Sequence, residues 1–200
     1  MKTSLFLLFS FFLGAIPTAY LVTKRVKGID IRQHGSGNVG ATNAFRVLGK
    51  KYGALVLFLD FLKGFVPVFL GQALFSPGLP TPLIALIAGV MAILGHIFTP
   101  FLGFKGGKGI ATGAGVVCMA YPLLFLIALI IWGGTFLLTR TVSLSSLVAL
   151  ASLVPLSYWF VRDGQTSLLF LLLFFLIAWT HRSNIGRILS GKELKIDKKN

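Results

Sequence analysis

Apolar runs dominate this 200-residue chain. They fall at about 4–23, 53–75, 82–103, 110–138, 141–161 and 165–180, separated by short polar joints. A helix needs about 20 residues to cross the hydrocarbon core, so most of these runs predict single spans. The run 110–138 is too long for one span. It holds Tyr121-Pro122, where proline removes a backbone donor and turns the preceding residue away from helix. The pattern therefore predicts a short helix at about 108–120 and a second at about 122–138. The resulting expectation is an all-α integral membrane protein, a single polytopic domain over 1–200 built as a bundle of seven transmembrane helices. No sequence repeat, low-complexity tract or soluble second domain interrupts it.

Composition sharpens this picture. Hydrophobic residues make up 56% and charged residues 12%, with a mean hydropathy of +0.88, which excludes a disordered chain and an ordinary water-soluble domain. The few charges are lopsided, 19 basic against 5 acidic. In a soluble protein that excess points to nucleic acid; here it points to loops held against anionic headgroups, with membrane lipids as partners and no nucleic acid. With the N-terminus outside and the C-terminus cytoplasmic, sixteen of the nineteen Lys and Arg lie on inner segments, including Lys198 and Lys199 of the tail. Only Lys2 and Arg162 lie outside, and Lys63 falls within a helix. A six-span arrangement would break this positive-inside asymmetry. Residues 1–20 imitate a cleaved signal peptide, but cleavage would send the first basic loop outward, so they read as the first helix. A single cysteine, Cys118, and three scattered histidines build no disulfide framework and no zinc site, and neither metal nor cofactor is expected.

Polar residues gather in three places, all on the predicted inner side. The first runs from Gly35 to Arg46, where Ser36 or Asn38 is a candidate helix N-cap. Asn38, Thr42 and Arg46 then recur every four residues as one stripe, offering an amide, a hydroxyl and a guanidinium suited to a phosphate. The plainer alternative is an interfacial helix with its wet face toward the headgroups. The second is Gly103 to Gly113, with Lys105, Gly106, Gly107, Lys108 and Gly109 leading into an apolar helix. Glycine N–H groups turned toward an anion, a helix N-terminus and two lysines would make an anion site; a flexible basic loop is the alternative. It is no Walker loop, because Gly107-Lys108 is followed by Gly109 and Leu102 stands where the first glycine belongs. The third is His181 to Arg187, in which His181 and Asn184 share a face if the helix continues. A histidine at a membrane exit also fits an interfacial role, and His96 reads as a local hydrogen-bonding residue near a helix end. Asp60 and Lys63, three apart within a span, can pair, either to stabilise the bundle or to orient a site residue.

Three motifs in register carry a specific resemblance. Ser36-Gly37-Asn38-Val39-Gly40-Ala41-Thr42-Asn43 is the first. The second is Gly95-His96 with Phe104-Lys105-Gly106-Gly107-Lys108-Gly109-Ile110-Ala111-Thr112, and the third is His181-Arg182-Ser183-Asn184-Ile185. Together they resemble the bacterial acyl-phosphate-dependent glycerol-3-phosphate acyltransferases, the PlsY family, along the whole chain. The resemblance implies acyl transfer from a fatty acyl phosphate to the 1-hydroxyl of glycerol 3-phosphate, giving lysophosphatidic acid and inorganic phosphate. This is the first acylation of phospholipid synthesis, at the cytoplasmic side of the bacterial inner membrane. It implies that the second motif binds the phosphate of glycerol 3-phosphate, that Ser36, Arg46, His181 and Asn184 are required, and that Glu193 is structural. Asn38, Thr42, Asn43, Lys105, Gly106, Gly107, Lys108, Gly109 and Thr112 are the expected substrate-binding set, and the enzyme is expected to act as a monomer. No His-x4-Asp dyad is present, so the proton of the attacking hydroxyl goes either to His181, oriented by Asn184 or bonded to Ser36, or to a phosphate oxygen of the donor. A covalent intermediate on Ser36 is a third route, without the usual Gly-x-Ser-x-Gly context. The rival class is a transporter for an organic phosphate, which would place its polar site near mid-membrane, often between repeats.

Overall fold

The structure is a computed structural model that describes residues 1–75 and 83–196. Residue 82, the first of the third predicted span, and Lys198 and Lys199 of the basic tail lie outside the described residues. Among those described, all regular structure is helical. The chain groups into two compact units, Met1–Ala120 and Tyr121–Asn200.

The first unit holds α1 (Lys2–Ala15), α2 (Thr18–Lys27), α3 (Ala41–Leu48), α4 (Lys50–Phe75), α5 (Leu83–Ile97) and α6 (Ile110–Ala120). Pro17 lacks the N–H that would carry α1 smoothly into α2, so the two helices break at Ile16–Pro17. Small residues then let backbones approach closely, as helix pairs in lipid require. A Cβ on Gly14 would stand 2.0 Å from the Ala92 carbonyl oxygen, and one on Gly95 would stand 2.0 Å from that of Phe11, so α1 and α5 pack main chain to main chain. Gly64 and Gly115 do the same for α4 and α6.

The second unit holds α7 (Pro122–Thr139), α8 (Val142–Phe160), α9 (Gly164–Thr180) and α10 (Arg182–Leu189). The predicted break stands: Tyr121 is out of the helical region and Pro122 opens α7, where its missing N–H costs nothing. Asp163 caps α9 by accepting from the N–H groups of Gln165 and Thr166. Outward faces are apolar, with Ile130, Leu138, Leu172 and Phe175 exposed, while Ser143, Ser145, Ser146 and Ser157 of α8 are buried. That inversion suits a hydrocarbon solvent, in which hydroxyls must find partners inside the protein.

Five stretches among the described residues are long and apolar enough to cross a membrane, with α1 and α2 together forming one of them. A sixth arises if α9 and α10, bent by 68°, are taken as one span. The short apolar helix α6, at 11 residues, reaches only about 16 Å at 1.5 Å per residue. Among the described residues the protein is thus all-helical with five to six membrane-length stretches; α9, which reaches that length only together with α10, and α6 are the elements that separate five from the seven predicted.

Candidate functional site

The first cluster is organised by Asn43 rather than by a helix cap. Its side chain is buried, and its Nδ2 donates to the carbonyls of His34 at 2.9 Å, Asn38 at 3.0 Å and Ile31 at 3.3 Å. Its Oδ1 accepts from the Ser36 N–H at 2.9 Å. One amide therefore ties residues 31–38 into a loop over the start of α3. Gly40 caps that helix, not Ser36 or Asn38, because the loop carbonyls are held by Asn43 until the chain is extended at Gly40. The expected stripe shortens accordingly: Asn38 sits in the loop, while Thr42 and Arg46 share α3, both half-buried. Ser36 is exposed at the loop's outer turn. Asn43, expected to touch substrate, instead spends its amide on the protein and positions Ser36.

The second cluster departs further from expectation. The N–H of Gly106 donates to the Ile97 carbonyl at 2.9 Å and that of Gly107 to the His96 carbonyl at 3.1 Å. These two amides are not turned toward an anion. They satisfy carbonyls at the end of α5 that the helix itself leaves open. Glycine is needed there for space: a Cβ on Gly106 would stand 2.0 Å from the His96 carbonyl oxygen, and one on Gly107 would stand 2.1 Å from His96 Nε2. Gly109, at φ +84°, turns the chain into α6 in a conformation that favours glycine. Lys105 is exposed and Lys108 half-buried, so the cationic part of the expected anion site remains on the loop. Thr112 is fully buried and donates to the Asp60 carbonyl at 3.0 Å, which makes it a packing residue between α6 and α4.

A small pocket is bordered by Pro17, Thr18, Val39, Lys63, His96 and Gly107. Residues of the first loop, the α1–α2 break and the glycine loop thus meet within the first unit. Asp60 and Lys63 pair as expected, with Nζ 2.6 Å from Oδ1. His96 is buried; its Nδ1 stands 3.9 Å from Asp60 Oδ1, beyond a hydrogen bond, while its main-chain carbonyl accepts from the Gly107 N–H. The sequence offered two signals for this pocket, the i,i+3 charge pair and Pro17, but neither says that they meet.

The third cluster lies in the second unit. The helix does not run on through it: it bends at His181, and α10 departs from α9. His181 is buried, and its Nδ1 lies 2.8 Å from the Ile177 carbonyl. Because a carbonyl only accepts, Nδ1 carries a proton in this arrangement. Asn184 Nδ2 donates to Glu193 Oε1 at 2.5 Å, joined there by the Ser143 hydroxyl at 2.8 Å, while Arg187 Nε donates to Oε2 at 2.7 Å. Burial alone would raise the Glu193 pKa, but the three donors outweigh it and hold the carboxyl below its ordinary value. Glu193 is thus the hub that fixes Asn184 and ties the chain after α10 to α8. Ser143 is the member of this hub that the sequence reading missed; its signal is the hydroxyl-rich start of α8.

Comparisons with known proteins cover this arrangement from end to end. A family model described as glycerol-3-phosphate acyltransferase matches residues 4–191. A protein named glycerol-3-phosphate acyltransferase from Aquifex aeolicus is 44% identical over 195 residues, 96% of this chain and 98% of that one. Another of that name, from Desulforudis audaxviator, is 46% identical over 185 residues, 92% and 90% of the two chains. Among solved structures, the crystal structure of PlsY, an integral membrane glycerol 3-phosphate acyltransferase, in its glycerol 3-phosphate form superposes with a TM-score of 0.92. It shares 38% identity and covers 98% of this chain and 96% of that one. The lysophosphatidic acid form of PlsY superposes at 0.89 with the same coverage.

Proposed function

The chain belongs to the glycerol-3-phosphate acyltransferase family, and on that basis we propose that it moves a fatty acyl group from acyl phosphate to the 1-hydroxyl of glycerol 3-phosphate. The observation that carries this reading is the likeness, over nearly the whole chain, to the glycerol 3-phosphate form of PlsY. The hydroxyl oxygen attacks the acyl carbonyl carbon, the new ester C–O bond forms, and the bond from that carbon to the phosphate oxygen breaks. Inorganic phosphate leaves and lysophosphatidic acid remains. Acyl phosphate is a mixed anhydride, so its leaving group needs charge neutralisation more than protonation. Arg46 is the group suited to supply it, while Lys105 and Lys108 of the second cluster are assigned to the phosphate of glycerol 3-phosphate. The glycine loop contributes through its lysines and its shape, since two of its amides are already used. Ser36, Arg46, His181 and Asn184 are the residues required for turnover and Asn38 and Thr42 are further substrate contacts; Asn43 and Thr112 hold their neighbours in the first unit, and Glu193 holds Asn184 in the second.

The leaving phosphate accepts the hydroxyl proton. His181 has its Nδ1–H committed to the Ile177 carbonyl, and a donor phosphate with a pKa near neutrality can take the proton without an enzyme base. A His181→Gln enzyme should be slowed yet keep the shape of the parent's pH–rate profile. Disappearance of one limb of that profile would assign the proton to His181 instead.

The whole chain works as one polytopic enzyme of the bacterial inner membrane, as a monomer, with its chemistry on the cytoplasmic side. Seven spans are supported by the five membrane-length stretches, the bent pair α9–α10 and the short α6. An outside N-terminus and a cytoplasmic C-terminus follow from the excess of Lys and Arg on the segments thereby placed inside.

A further inference from the structure

We propose that Asp60, Lys63 and His96 are positioning residues that set the glycine-rich loop for its substrate phosphate; this rests on the acyltransferase reading above. Burying two charges is costly, and a well-packed apolar pair of similar size would often be at least as stable. The placement of this pair has a different use. Lys63 Nζ spends its donors on Asp60 Oδ1 at 2.6 Å, on Thr18 Oγ1 at 3.1 Å and on the Ile16 carbonyl. The Thr18 hydroxyl in turn donates to Asp60 Oδ1. Thr99 Oγ1 reaches the neighbouring Ala15 carbonyl at 2.6 Å. The helix break left by Pro17 is thereby fixed from α4 and from the segment after α5.

The same carboxylate looks the other way, toward the loop. His96 stands between Asp60 and Gly107, with Nδ1 on the Asp60 side and Nε2 in the space that a side chain at 107 would fill. The main chain of His96 and Ile97 receives the amides of Gly107 and Gly106. At the far end of the loop, the Thr112 hydroxyl is held by the Asp60 main-chain carbonyl. One end of the loop is therefore seated on α5 where His96 faces Asp60, and the other is held by the Asp60 main-chain carbonyl; Lys108 lies between these anchors and Lys105 directly precedes them. Loosening these anchors moves Lys105 and Lys108 without touching the acyl donor.

The test is steady-state kinetics with each substrate varied in turn, on the purified full chain and two variants. One is the double variant Asp60→Asn with Lys63→Met, which removes both charges at nearly constant volume. The other is His96→Asn, which leaves the charge pair and the loop's main-chain bonds in place. Displacement of a phosphate-binding loop should raise KM for glycerol 3-phosphate about tenfold in each, while KM for acyl phosphate stays within about twofold. A loss of kcat alone, with KM for glycerol 3-phosphate unchanged in either folded variant, would overturn the proposal, because reduced folding lowers active enzyme and not affinity. Failure of both variants to fold would overturn it too, since the network would then serve the fold itself. A parent inactive with both substrates would remove the acyltransferase reading and this inference with it; an active parent whose variants keep their KM would remove the inference alone.

Discussion

Gly106→Ala is expected to lower acylation of glycerol 3-phosphate by about a hundredfold, the scale on which a displacement near 1 Å acts on a positioned reaction. The new methyl would stand 2.0 Å from the His96 carbonyl oxygen and 2.7 Å from that of Ile97, both main-chain atoms that cannot rotate away. The Gly106 N–H bond to Ile97 must then open, and the loop must lift from the end of α5 with Lys105 on it. Gly133→Ala is the control: that glycine lies inside α7 with open space around its Cβ position, and alanine is the better helix former. Specific activity and thermal stability measured on both proteins separate the outcomes. Equal activity in the two would mean that the seating of the loop on α5 is irrelevant to turnover.

Arg46→Gln is expected to lower kcat/KM by about 10²–10³-fold, the cost of losing one preorganised charge at a developing anion. Arg46→Lys should recover little of this loss, because an ammonium cannot present the planar two-donor fork that grips a phosphate. The position of Arg46 is set from below. It sits one turn after Thr42 on α3, and α3 is anchored to the preceding loop by the buried Asn43 amide. Both variants keep that anchor, so their fold should match the parent's. A parent-like kcat/KM in Arg46→Gln would place the phosphates elsewhere.

The membrane helices were legible because lipid demands long apolar runs and because Pro122 marks a break, whereas the break at Pro17 falls inside the predicted run 4–23, which was expected to be one helix. The break at Tyr121-Pro122 came straight from proline chemistry. Helix number was less legible: within the apolar run 110–138 hydropathy alone does not show that α6 is only 11 residues long, with Gly115 fitted against α4. Residue types in the three polar clusters were also legible, since Ser, Asn, His, Arg and glycine stand out in an apolar chain. Their hydrogen-bond partners were not. Asn38 and Asn43 look equivalent in sequence, yet tertiary closure of the loop buries the amide of Asn43 and leaves Asn38 above it. Glycine amides free to face an anion look the same as glycine amides that finish a helix, and only the fold of α5 back onto Gly106 and Gly107 decides between them. His181 and Asn184 share a face only on a continuing helix, whereas the chain bends by 68° at His181 and Asn184 turns to Glu193.

The central claim is the identity of donor and acceptor. Purified protein in lipid, given labelled glycerol 3-phosphate with either acyl phosphate or acyl-CoA, tests it directly when lysophosphatidic acid and released phosphate are followed together. The account predicts lysophosphatidic acid and phosphate in equal amounts from acyl phosphate, and no product from acyl-CoA. Product from acyl-CoA alone, or none from either donor in folded protein, would contradict it.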